Sequence, residues 1–176
     1  KKAVIESIGI ATKEIDMNKH KGEHKRMGAT DVVPFLPIQE MTTEECNEIS
    51  REVGKAVWEK FQLPVFLYEN TATAPNRVSL PDIRKGEYEG MAEKLKQPEW
   101  APDFGERAPH PTAGVTAIGC RMPLIAFNIN LATTDMSIPK EIAKDIRFSS
   151  GGFRFIQAGP AEILDKGFVQ VTMNIK

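Results

Sequence analysis

Leu124-Ile125-Ala126-Phe127-Asn128-Ile129-Asn130-Leu131 is the stretch whose alternation decides the fold. Ile125, Phe127, Ile129 and Leu131 share one face of an extended chain, and Asn128 and Asn130 share the other, because successive side chains of a strand point to opposite sides. The pattern returns near the end, where Val169, Val171, Met173 and Ile175 alternate with Gln170, Thr172 and Asn174. Two strands with an amide-rich face predict a sheet covered by helices on one side. Its other side lines a polar groove or simply meets water. Between these strands Ile138, Ile142 and Ile146 fall in helical register over 137–147. Phe153-Arg154-Phe155-Ile156 reads as a further strand, and Asp165-Lys166-Gly167 as the turn into the last one. From 124 onward the order is therefore β-α-β-β, the opening of a ferredoxin-like β-α-β-β-α-β unit without its last helix and strand.

Upstream, Val4, Ile8, Ala11 and Ile15 mark one face of a helix that begins with no capping residue. A strand at 31–38 carries Pro34 and Pro37, which confine it to an edge or an irregular path. Thr42 and Glu45 fit a capping box, and Cys46, Ile49, Val53, Val57 and Phe61 behind it step along a face that packs on a sheet. Pro64 ends that helix. Val65-Phe66-Leu67-Tyr68 is a buried strand that brings Glu69 and Asn70 to a strand end, a common place for site residues. From 71 to 114 the chain is mostly proline-rich loop, with one helical segment near 87–96. Loops of this length are usually functional or disordered, and Trp100 and Phe104 as anchors favour function. A short strand at 115–119 precedes the β-α-β-β order that runs from 124 onward.

The chain has 176 residues, 41% hydrophobic and 27% charged, with a net charge of -1. That length suits one domain or two small ones and buries roughly 70% of the unfolded surface. The charge balance argues against a nucleic-acid binder, since no excess of Lys and Arg exists to release counterions. Cys46 and Cys120 form no disulfide framework and no zinc spacing, which fits a reducing compartment, and Cys46 reads as a small core residue. No apolar run approaches a membrane span and no signal peptide opens the chain, so the expected location is the cytoplasm.

The chemistry concentrates in His20-Lys21-Gly22-Glu23-His24-Lys25-Arg26-Met27-Gly28. Three readings of it compete. As H-x-x-E-H it matches the inverted zincin pattern of a zinc hydrolase, but Gly22 weakens the helix that pattern needs, and no apolar face flanks it. As a plain charge run it would be a solvated loop. As an acid–base site, an imidazole titrating near neutrality takes and returns a proton, with Lys21, Lys25 and Arg26 holding carboxylates.

The runs HKGEHKRMGATDVVPFLPI (20–38), LPVFLYENTA (63–72), IRKGEYEGM (83–91), WAPDFG (100–105) and LIAFNINL (124–131) resemble, in this order, the glutamate formiminotransferase family. This is the folate enzyme that also forms the N-terminal part of formiminotransferase-cyclodeaminase. The resemblance runs the whole chain and favours the acid–base reading. It implies transfer of the formimidoyl group from N-formimidoyl-L-glutamate to N5 of tetrahydrofolate, with His24 as the catalytic histidine and no metal. It implies a folate-binding stretch at Gly105, Glu106, Arg107, Ala108, Pro109, His110, Pro111, Thr112, Ala113 and Gly114. The folate is expected with or without a polyglutamate tail, and the protein as a homodimer. The implied fold class is α+β: two ferredoxin-like α/β subdomains, with helices on the outer sheet faces and a folate groove between them. Residues 1–123 would be the N-terminal subdomain without its first strand, and 124–176 the start of the C-terminal one, the chain being truncated at both ends. Local pattern alone, not the family, adds Lys25 and Arg26 as holders of substrate carboxylates and Asn128 and Asn130 as groups facing the cleft. A truncated paralogue that binds folate or dimerises without catalysis is the alternative.

Overall fold

Thr42 opens the longest helix with a reciprocal cap. Its hydroxyl accepts from the Glu45 amide at 3.2 Å, and its own amide donates to the Glu45 carboxylate at 2.7 Å. Both otherwise orphaned amides are thereby satisfied. The helix that follows, α2 (Thr43–Phe61), ends on Gln62 in the left-handed region, just before Pro64. The computed structural model describes residues 1–21, 25–163 and 166–176. The chain divides into two compact units, Lys1–Arg121 and Met122–Lys176.

In the first unit, β1 (Asp31–Phe35), β2 (Val65–Leu67) and β3 (Thr116–Cys120) form a sheet in the order β1-β3-β2, with both pairings parallel. β3 is central and buried at every position. β1 is an edge, which is where Pro34 is tolerated, since no ladder hydrogen bond is lost there. Alternation along β2 divides the core. Val65 packs with Ile8 of α1 (Lys2–Glu14), Val53 and Val57 of α2, and Ile118. Phe66 points the other way, to Ile83, Met91, Leu95 and Trp100. Those residues come from α3 (Leu80–Arg84), α4 (Glu87–Lys96) and the turn after it. The sheet therefore lies between two helical layers. Helix α4 falls where the sequence places it. The five-residue α3 is too short for its period to show.

The second unit has the order β4 (Ile125–Leu131), α5 (Ser137–Ile146), β5 (Ile156–Ile163) and β6 (Phe168–Ile175). Its sheet runs β4-β6-β5, all antiparallel, and Phe127 pairs with Met173 as Asn128 does with Thr172. The two alternating stretches thus share faces as their sequences demand. Two expectations are corrected. The strand expected at 153–156 begins at Ile156 and continues through Gly159 and Pro160, which suppress the strand signal yet are accommodated because β5 is an edge. The helical cover is also partial. α5 meets Val171, Met173, Ile156 and Ala158, while Ile125, Phe127 and Ile129 are 65%, 52% and 45% exposed. One helix about 10 Å wide spans about two strands at their ~4.8 Å spacing, so the third is left open. Among the described residues, no helix is long and apolar enough to cross a membrane.

Candidate functional site

The first unit gathers four segments that the sequence separates. Residues 110–114 make a tight turn, in which the amides of His110 and Gly114 each donate to the other's carbonyl, at 2.9 and 3.0 Å. This turn is sewn to the segment after His24. The Ala29 amide donates to the Ala113 carbonyl at 2.9 Å, and the Val115 amide to the Met27 carbonyl at 3.2 Å. Gly28 and Gly114 face each other across that seam. A Cβ on Gly28 would strike the Val115 carbonyl oxygen, and one on Gly114 the Met27 carbonyl oxygen, so the approach requires glycine at both. From the other side the Met17 amide donates to the Thr112 carbonyl at 2.7 Å, and the Tyr88 hydroxyl is shared between Asn18 Oδ1 and the Pro111 carbonyl, each at 2.9 Å.

The stretch 105–114 is anchored at its other end by β2. Asp103 and Phe104 donate their amides to the Val65 carbonyl, and the Val65 amide donates to the Phe104 carbonyl at 2.9 Å. The Asp103 carboxylate accepts from the Leu67 amide at 2.8 Å and from the Thr73 hydroxyl, and pairs with Arg77 at 2.6 Å. Both members of this ion pair are buried, with side chains 9% and 7% exposed. Arg77 also donates to the Ala101 carbonyl and lies 5.6 Å from the Phe66 ring centroid. Behind it, Lys94 donates to the carbonyls of Asp82 and Ile83 at 2.5 and 2.6 Å, with its ammonium 3.8 Å from the Trp100 ring centroid. These contacts fix the ends of the proline-rich loop. Glu106, Arg107 and Ala108 between them are exposed.

His110 is half-buried, and its Nδ1 accepts from the amides of Ala113 and Thr112 at 3.0 and 3.3 Å. Burial holds its pKa below the ordinary imidazole value. Two backbone donors at Nδ1 place the ring proton on Nε2. This histidine is therefore a fixed neutral tautomer in a turn edge, suited to binding rather than to proton exchange.

Arg26 differs from its sequence reading. Its Nη2 and Nη1 donate to the two Glu89 carboxylate oxygens at 2.7 and 3.0 Å, Nη1 also to Glu87 at 3.3 Å, and Nη2 to the His20 carbonyl at 3.1 Å. The carboxylates it holds are the protein's own. Arg26 in turn keeps the Glu89 carboxyl at a pKa of about 2. Lys25, by contrast, is exposed. His24, with Glu23, lies outside the described residues. Among the described residues no group of three His, Cys, Asp or Glu side chains is placed to hold a metal ion. Asn128 and Asn130 lie in the second unit on the face opposite α5. There Asn130 Oδ1 accepts from Gln170 at 2.7 Å, and the same face carries a shallow depression of about 170 Å³ beside Gln157, Gly159, Thr172 and Asn174. Cys46 and Cys120 are free and buried. Burial, with the Cys120 thiol beside it, pushes the Cys46 thiol up to about 12, as fits a core residue.

Tyr88, Glu87, Glu89 and Asn18 escaped the sequence reading. Gly86 and Glu87, both at positive φ (93° and 56°), turn the chain so that the three residues 87–89 meet Arg26 and the 110–114 turn. Only the glycine before a Glu-Tyr-Glu run hints at this in sequence.

The chain is similar in sequence to known proteins. Residues 1–121 match the model of the formiminotransferase domain, N-terminal subdomain. A glutamate formimidoyltransferase of Streptococcus pyogenes is 51% identical over 173 residues, covering 98% of this chain and 58% of that protein. One of Thermoplasma acidophilum is 42% identical over 175 residues, covering 98% and 57%. The formimidoyltransferase-cyclodeaminase of Mus musculus is 43% identical over 171 residues, covering 94% of this chain and 31% of that protein. The chain thus spans a little over half the length of the two formimidoyltransferases. With more than half of its residues matched by the family model, this chain belongs to the formiminotransferase family.

Proposed function

We propose that this chain carries the formimidoyl-transfer chemistry of its relatives, moving the group from N-formimidoyl-L-glutamate to N5 of tetrahydrofolate. The supporting observation is the seam between 27–29 and 113–115, which holds the turn of the proposed folate wall, 105–114, against the segment leading from His24. In the reaction N5 attacks the amidine carbon, and a C–N bond forms. His24 takes the N5 proton and returns it to the glutamate nitrogen as the old C–N bond breaks, so the histidine ends as it began. A proton shuttle of this kind contributes roughly 10²–10⁴ in rate. His110, with its proton fixed on Nε2, supplies a hydrogen-bond donor to the wall. Lys25 holds a substrate carboxylate, and Asn128 and Asn130 offer amides on the second unit's own polar sheet face.

Residues 1–123 make up the N-terminal subdomain, and 124–176 belong to the C-terminal one. The protein acts as a cytoplasmic homodimer, without a metal. The test is incubation with both substrates, following the acid-formed methenyl product by absorbance. Product from the wild type, lost in His24→Ala, is the expected result. Full turnover by His24→Ala would remove the proposed shuttle. Bound folate with no glutamate released would make the chain a folate-binding module instead.

A further inference from the structure

We infer that Arg26 and Glu89 are positioning residues: together they form a clasp that ties His20 and Arg26 to each other and to the start of α4. The clasp has three independent parts. The guanidinium of Arg26 reaches back to the His20 carbonyl at 3.1 Å, tying the two ends of segment 20–26 to each other. The Glu89 carboxylate grips the same guanidinium through both oxygens, at 2.7 and 3.0 Å. The Tyr88 amide donates to the Arg26 carbonyl at 2.9 Å, so main chain and side chain of one residue are held by neighbours on one turn.

The arrangement is unlike an ordinary surface ion pair, which contributes little because two long side chains must be ordered in water. Here the Arg26 side chain is only 15% exposed, and the contact is the two-pronged geometry that a planar guanidinium and a carboxylate share. A lysine at 26 would offer a point charge. It lacks the planar fork that meets both Glu89 oxygens in parallel. The backbone is bent to build the clasp, since Glu87 adopts φ 56°, a conformation that a side-chain-bearing residue seldom takes. Strain of that kind persists where surrounding contacts over-determine it. The hydroxyl of Tyr88 meanwhile contacts Pro111, so the clasp and the 110–114 turn share one support.

The role of the clasp rests on the reading of His24 as the acid–base group, because segment 20–26 contains that residue. Its existence as a clasp does not. Two measurements separate the two ideas. Limited trypsin digestion of the whole chain reads the segment directly, since Lys21 and Lys25 are exposed cleavage sites within it. Glu89→Ala is expected to raise cleavage there about tenfold, as protease susceptibility follows the open population. Glu93→Gln, which removes the exposed contact to Lys96 on the same helix, is the control and leaves cleavage unchanged. Equal cleavage of Glu89→Ala and wild type overturns the clasp, whether or not the chain is active.

The kinetic arm uses the two-substrate assay. Glu89→Ala and Arg26→Lys are expected to lower kcat about tenfold, the loss a small misplacement of a catalytic group brings, with KM for both substrates held within about twofold. A raised KM for N-formimidoyl-L-glutamate in Arg26→Lys, with normal kcat in Glu89→Ala, would make Arg26 a substrate anchor and overturn its positioning role. A wild type without turnover would end the functional reading alone, leaving the clasp to the digestion.

Discussion

The two sheets of this chain use the same strand chemistry and reach opposite degrees of burial. Phe66 in β2 is fully buried, while Phe127 in β4 is 52% exposed. Both sit in short apolar strands, and both point to a face that bears helices. The first sheet is parallel, so its connections cross over and leave helices on both faces, as parallel sheets require. The second is antiparallel, and its one crossover supplies one helix. Alternation sets the direction in which a side chain points. The number of covering elements sets whether it leaves water.

The largest expected effect breaks that comparison if it fails. Phe66→Ala removes a ring packed against Ile83, Met91 and Trp100, and is expected to cost about 3–5 kcal/mol. Phe127→Ala removes an exposed ring and is expected to change stability by less than about 0.5 kcal/mol. Urea unfolding followed by tryptophan fluorescence is selective here, because Trp58 and Trp100 both belong to the first unit. Far-UV circular dichroism reports both units. Equal losses for the two variants would mean that Phe127 is covered in solution by something the monomer does not contain.

A smaller effect tests how the helical layer absent from the second unit is held in the first. Lys94 caps the carboxyl end of α3 by donating to two of its carbonyls, with a third bond to Lys85 at 3.2 Å. Lys94→Met keeps the aliphatic volume and removes those donors. The loss expected is about 1–3 kcal/mol, from carbonyls left without a partner. Thermal unfolding by fluorescence would read it. A neutral outcome would show that water reaches those carbonyls and that the Trp100 contact adds nothing.

Much of this was legible because it is local. The Thr42–Glu45 cap, the face of α2, helix α4 and the pairing parity of β4 and β6 each follow from residues within a few positions of one another. What escaped depends on the turn between elements or on the far side of the chain. Strand β5 hid behind Gly159 and Pro160, tolerable only because β5 is an edge, and edge position is a property of the whole sheet. The open face of β4 was invisible because alternation counts directions and not helices. In the site, residues 105–114 were picked out through the family resemblance. That Arg26 is already taken could not be read, because its partners, Glu87 and Glu89, lie some sixty positions away and face it only through two consecutive left-handed residues.

The smallest effect concerns pH, and it separates the two units again. All three histidines lie in the first, and burial lowers the pKa of His110. In the unfolded chain His110 binds a proton below about pH 6.5, while the folded turn resists it. Protonation would also require Nδ1 to release the amides of Ala113 and Thr112. The unfolded state therefore carries more protons, and stability is expected to fall as pH drops through 6.5 and below. The Glu89 carboxyl, with its pKa held at about 2, keeps its contribution until pH falls below about 4.5, so the range between pH 7 and 5 lies above the Glu89 window. His110→Asn retains an acceptor at the position of Nδ1 without a titrating ring, and its stability between pH 7 and 5 is expected to fall less steeply than the wild type's. Protection factors of β6 amides, which correct exchange for its intrinsic pH dependence, are expected to hold constant over the same range, since that unit has no histidine. A fall of equal slope in His110→Asn would move the titration to another group, and the tautomer assigned to His110 would lose its support.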